Sequence, residues 1–224
     1  MEYVDEQHQV EHLKKLFKEY GLPILGGIVI AIIILLGWQY YQAHKAQLAQ
    51  RASSQYMQML NAQGAHKEDV VKNKAQAIMK QYPSTAYAVL SAMVLAHYQI
   101  EDKAYDQAAQ KLEWAINNTS MPMLKSISRI RLARVALQQG NQDKAMKQLS
   151  QIKSSAFQGL AQEVKGDIQA KQHHYAQAYK SYQKAQQLLA KNGARQPLLP
   201  MKIANLPVTA TQSTSTNSHL PHHG

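Results

Sequence analysis

A chain of 224 residues with no cysteine has neither disulfides nor thiol chemistry to use. Its 25 Lys and Arg against 14 Asp and Glu give a formal net charge of +11, which raises anionic headgroups, acidic proteins and nucleic acid as possible partners. Two Phe and two Trp amid abundant Ala, Gln, Leu and Lys argue against a sheet of aromatic and β-branched residues and for helices packed through small side chains.

The first 21 residues form a short acidic segment. Val10, Leu13, Phe17 and Tyr20 fall at helical spacing, which predicts an amphipathic helix. Gly21-Leu22-Pro23 is read as a break, with Pro23 in the first turn of the next helix. No charge occurs between Glu19 and Lys45, and residues 22–36 are almost entirely aliphatic. A helix of about 20 residues covers a hydrocarbon core of about 30 Å. Residues 22–41 are therefore predicted to span a membrane, entering at Leu22, with the amphipathic rings of Trp38, Tyr40 and Tyr41 at the headgroup level. The acidic start, the long apolar run and the bulky aromatics that follow it favour an uncleaved anchor over a signal peptide. Gly27 and Ala31 make one small-xxx-small pair, a hint of close helix contact.

Three lysines precede the span, while Lys45 and Arg51 follow closely, so charge only weakly favours the short end inside. Behind the span stand 22 Lys and Arg against 9 Asp and Glu. They are scattered, without a basic run or aromatic interleaving, and are read as solvated helix faces, with no nucleic-acid partner.

From residue 42 to 206 the pattern predicts an all-α domain. Helices are expected at Gln42–Asn61, Glu68–Gln81, Ser84–Gln99, Tyr105–Asn117, Met123–Gln138, Asp143–Ile152, Phe157–Lys171 and Tyr175–Lys191, joined by short breaks that imply antiparallel pairs. Three of these helices share a pattern. Ala108, Leu112 and Ala115 match Ala145, Leu149 and Ile152, and then Ala178, Tyr182 and Ala185. Twelve residues before each leading Ala stands another small residue: Ala96, Ala133 and Gly166. This resembles the tetratricopeptide repeat, whose unit of about 34 residues packs two helices through small residues at those places. The expected reading is three recognisable repeats behind a degenerate first pair in 42–82. Residues 207–224, rich in Thr, Ser and His, lack the apolar content to fold and are expected to be a disordered tail.

Candidate chemistry is sparse. His8, Glu11 and His12 fit the spacing of inverted zinc peptidases, but a 21-residue segment ahead of a span offers neither a third ligand nor a closed pocket. His173-His174 falls in a turn, and His219, His222 and His223 in the tail. Asp106, Asp143 and Asp167 are read as second-helix acids in surface or capping positions. No catalytic, metal or cofactor site is assigned, and an enzyme is not expected.

The ordered set resembles a known family. It comprises the acidic start with Gln9-Val10-Glu11 and Leu16-Phe17, a single span closing on Gly37-Trp38 and Tyr40, and Ala-rich repeats containing Ile130-Arg-Leu-Ala-Arg-Val135. A close containing Met201-Lys-Ile-Ala-Asn-Leu206 completes it. Residues 1–206 are similar to the YfgM-type ancillary subunits of the bacterial SecYEG translocon. That resemblance implies an inner-membrane protein with a cytoplasmic N-terminus and a periplasmic repeat domain. It further implies association with the SecYEG translocon and a membrane-anchored periplasmic prolyl-isomerase-like chaperone, and contact with nascent secretory proteins. The alternative is a membrane-tethered repeat scaffold, an assembly factor or stress-response regulator-binding protein independent of secretion.

Overall fold

The computed structural model describes the backbone of residues 3–194 and 196–207 and the side chains of residues 25–194 and 196–207. The described residues are helical, with no strand among them. The order is α1 (Tyr3–Gly64), α2 (Glu68–Gln81), α3 (Ala86–Glu101), α4 (Tyr105–Asn117), α5 (Pro122–Gln138), α6 (Gln142–Ser150), α7 (Ser155–Lys171), α8 (Tyr175–Lys191) and α9 (Leu198–Ala204). The chain divides into two units, residues 1–51 and 52–224.

From Tyr3 onward the described residues of the first unit lie in one continuous helix, α1, which corrects the break expected at 21–23 and the fresh start at Gln42. Pro23 deletes one backbone donor, a loss that a long aliphatic helix absorbs without losing its register. From Leu25 onward α1 is long and apolar enough to cross a membrane, and its aliphatic stretch is exposed to the surroundings.

The second unit is a stack of helix pairs: the end of α1 with α2, α3 with α4, α5 with α6, and α7 with α8, closed by α9. Each pair turns in the same way. His66, Lys103, Gly140 and His173 adopt left-handed φ values of 55°, 59°, 77° and 62°. The next N–H then bonds back across the turn: Lys67 to the Ala62 carbonyl at 3.0 Å, Ala104 to Gln99 at 2.7 Å, Asn141 to Ala136 at 2.9 Å and His174 to Gln169 at 2.9 Å. This is the Schellman arrangement, which satisfies carbonyls that a helix end leaves without a partner. Entry into the next helix is fixed locally too. Thr85 accepts the Ala88 N–H at 3.3 Å, Asn141 accepts that of Lys144 at 2.9 Å, and Pro122 opens α5.

The four turns make the first pair a full member of the array. Counting five residues on from each left-handed position gives Val71, Ala108, Ala145 and Ala178, all fully buried. Met59 and Val71 take the places that Ala96 and Ala108 hold in the next pair, and both are fully buried. The pair expected to be degenerate departs in residue size, not in geometry.

Candidate functional site: the face of the first helices

Within the repeat unit the small residues singled out from sequence sit in the seams. Ala96, Ala108, Ala115, Ala133, Ala145, Ala178 and Ala185 are buried, and Gly166 lies against the Tyr182 ring. Trp38, Tyr40 and Tyr41 are exposed on α1, and the side chain of Leu22 lies outside the described residues. So do those of His8, Glu11 and His12, and the tail beyond residue 207. No group of three metal-ligating side chains occurs among the described residues.

One surface that offers a recess is the face shared by the first helix of each pair. A cavity of about 410 Å³ opens there, lined by Gln63 of α1, Val94, His97 and Ile100 of α3, and Arg131 and Arg134 of α5. Helical spacing explains the lining. Val94, His97 and Ile100 are three apart, as are Arg131 and Arg134, so each set points to one side of its helix. Tyr56 of α1 meets Tyr87 of α3 with ring centroids 5.5 Å apart.

Charge is concentrated on this face. An Arg131 guanidinium nitrogen donates to the Met93 carbonyl at 3.4 Å. Burial, and then the neighbouring charge of Arg134, lower the Arg131 pKa from its ordinary value, against a small opposing effect of Tyr56. Arg134 reaches Glu163 of α7 at 3.6 Å. Glu163 is buried, and it also accepts from Lys202 at 2.6 Å and Gln196 at 2.8 Å. Burial pushes its carboxyl upward, but those two bonds and the charges of Lys202 and Arg134 outweigh it and hold the pKa below the ordinary value. Lys202 also bonds both oxygens of Asp167 at 2.9 Å, and Asp167 accepts the Tyr182 hydroxyl at 2.8 Å. Burial and the Asp167 carboxylate raise the Tyr182 pKa.

Asp167 thus differs from its sequence reading. It belongs to the first helix of its pair and anchors α9, because the short helix that brings Lys202 to it was not foreseen. The groove residues were missed as well. Their signal was a repeat column: positions 60, 97, 134 and 167 recur at the same spacing as the left-handed turns.

A span-forming helix leading into four stacked pairs with a lined face is the setting for the sequence comparisons. Residues 14–208 match the tetratricopeptide repeat-like domain family. A protein of Aggregatibacter actinomycetemcomitans called ancillary SecYEG translocon subunit is 30% identical over 204 residues, covering 91% of this chain and 98% of that relative. This chain belongs to that family of tetratricopeptide repeat-like proteins. The relative of the same name from Haemophilus influenzae is 29% identical over 91% of this chain and 98% of its own length. That of Escherichia coli strain K12 is 29% identical over 74% of this chain and 79% of its own.

Proposed function

We propose that the protein is a non-catalytic accessory subunit of the SecYEG translocon. In this reading residues 1–21 are cytoplasmic, residues 22–41 cross the inner membrane, and residues 42–206 form a periplasmic scaffold followed by a tail at 207–224. The scaffold holds a membrane-anchored prolyl-isomerase-like chaperone beside the channel and helps pass on secreted or outer-membrane proteins. The observation that supports it most is near-complete coverage: relatives named as translocon subunits align over 91% of this chain, so anchor and repeats are matched together. The lined face supports the scaffold role, since stacked helix pairs commonly bind partners on the surface their first helices share.

The test is affinity isolation after gentle detergent extraction of native membranes, with the native anchor and with an unrelated span in its place. Co-isolation of the channel subunits with the native anchor is expected. Their absence, with a different stable partner present, would favour a tethered scaffold unconnected with secretion. Loss on swapping the anchor would assign the contact to α1, and retention would assign it to the repeats.

A further inference from the structure

The outward side of the second helices changes character along the array. Counted from the buried Val71, Ala108, Ala145 and Ala178, the places two residues on, at positions 73, 110, 147 and 180, hold Asn, Gln, Lys and Lys. Those six residues on, at positions 77, 114, 151 and 184, hold Ala, Trp, Gln and Lys. Both columns are uncharged in the first two pairs and turn cationic in the last two. Lys191 continues the series on α8. At about 100° per residue, Lys180, Lys184 and Lys191 fall within about 40° of one line along that helix, opposite its buried side. Lys147 and these three are all exposed.

No opposite charge competes for them. α8 contains no Asp or Glu, and α6 has only Asp143, in its first turn. Lys72, Lys144 and Lys202 each hold a carboxylate, whereas none of these four lysines is paired with one among the described residues. Scattered in sequence, they converge in the fold on the outward side of α6 and α8.

The chemistry of this face selects its partner. Protein interfaces are rich in aromatic residues, Met and Arg and poor in Lys. On α8 the lysines are interspersed with Gln177, Gln183 and Gln187, which offer no apolar anchor. Ammonium groups on flexible stems are point charges, without the planar fork that fixes one anion in one place. Nor does the outward line of α8 carry an aromatic ring on which a nucleic-acid base could stack. A layer of anionic headgroups needs neither anchor nor pocket and attracts each nearby lysine separately. The chain also carries a helix able to cross a membrane, so a bilayer is tethered to the repeat unit wherever α1 is inserted.

We propose, resting on the membrane-anchored part of the reading above, that the outward face of α6 and α8 docks on the anionic headgroups of the bilayer that α1 spans.

The test uses the full-length protein in nanodiscs of phosphatidylcholine, alone or mixed with phosphatidylglycerol. Because the chain has no cysteine, Gln187→Cys places a single fluorophore on the face and Gln110→Cys places one on the outward side of α4. Energy transfer to an acceptor-labelled lipid reads docking. Transfer from position 187 is expected to rise when phosphatidylglycerol is present, more than from position 110. The rise should vanish at about 1 M salt, where the Debye length is about 3 Å. Lys180→Gln, Lys184→Gln and Lys191→Gln should each lower the docked-to-undocked ratio about fivefold at an unchanged thermal melt, and Lys184→Arg should preserve it. Equal transfer in the two lipids, or a rise that survives the triple Gln variant, would overturn the proposal. So would lysine-dependent binding of polyglutamate in phosphatidylcholine discs without any response to phosphatidylglycerol, which would assign the face to an acidic polypeptide. A protein that enters neither kind of disc would sink the anchor reading and this inference with it. Entry without a response to phosphatidylglycerol would sink the inference alone.

Discussion

The aromatic ring of Tyr182 fills the place where a side chain on Gly166 would stand. A Cβ there would overlap the ring carbons, and the ring has little freedom to retreat because its hydroxyl donates to Asp167 at 2.8 Å. Glycine in a helix interior costs about 1 kcal/mol relative to alanine, so its presence here is a packing requirement between α7 and α8. Gly166→Ala is expected to destabilise the repeat unit by about 1–2 kcal/mol, the overpacking cost exceeding the gain in helix propensity. Denaturant titration followed by circular dichroism measures it. A stabilised variant would show that the ring moves aside freely.

The same logic applies where the small residue is an alanine. Ala145 is fully buried between its helix and its neighbours, five residues past the Gly140 turn. Ala145→Phe adds a ring to a seam with no space for it and is expected to cost about 1–3 kcal/mol or more. An unchanged thermal melt would remove Ala145 from the packing seam.

Left-handed turns give a prediction of opposite sign at two equivalent positions. Gly140 at φ 77° has the residue that such a turn favours, whereas Lys103 at φ 59° holds the same conformation with a side chain. A left-handed residue other than glycine costs about 1–2 kcal/mol, part of which glycine returns through unfolded-chain entropy. Gly140→Ala should lower the melting temperature and Lys103→Gly should raise it, each by the equivalent of about 1 kcal/mol. Shifts of the same sign in both would mean that contacts of these side chains outweigh the backbone.

These positions also show what could be read from the sequence. The helical array was legible because small and apolar residues recur together at Ala108, Leu112 and Ala115 and at the corresponding positions of the later pairs. The first pair was hidden because Met59 and Val71 break the small-residue pattern while keeping the turn, and a left-handed His66 leaves no glycine to mark it. α9 was hidden for another reason. Seven residues that include Pro200 carry no periodic signal, and their order comes from Leu199, Ile203 and Leu206 against α8 and from Lys202 against two acids on α7. The groove was missed for a related reason: exposed residues of varied chemistry form a column only after the repeat register is known.

Glu163 makes the last of these contacts sensitive to acid. Its carboxyl is buried, and burial alone would raise the pKa. The bonds from Lys202 and Gln196 and the charges of Lys202 and Arg134 prevail, so the folded value lies below the ordinary 4.5. A group that binds its proton less readily when folded adds stability that is present above its unfolded pKa and lost as pH falls through the folded one. The contribution is thus complete near neutrality and begins to fade at about pH 4.5, continuing to fall below that. Protonation weakens the tie between Lys202 and α7, so α9 should be the first element to loosen. Hydrogen exchange of the α9 amides, followed from pH 7 to pH 3, is expected to quicken before that of α3 and α4. Glu163→Gln, which keeps the shape but not the charge, should already exchange faster in α9 at neutral pH and should flatten the acid dependence there. An acid response in the variant equal to that of the parent would move the titrating group away from Glu163.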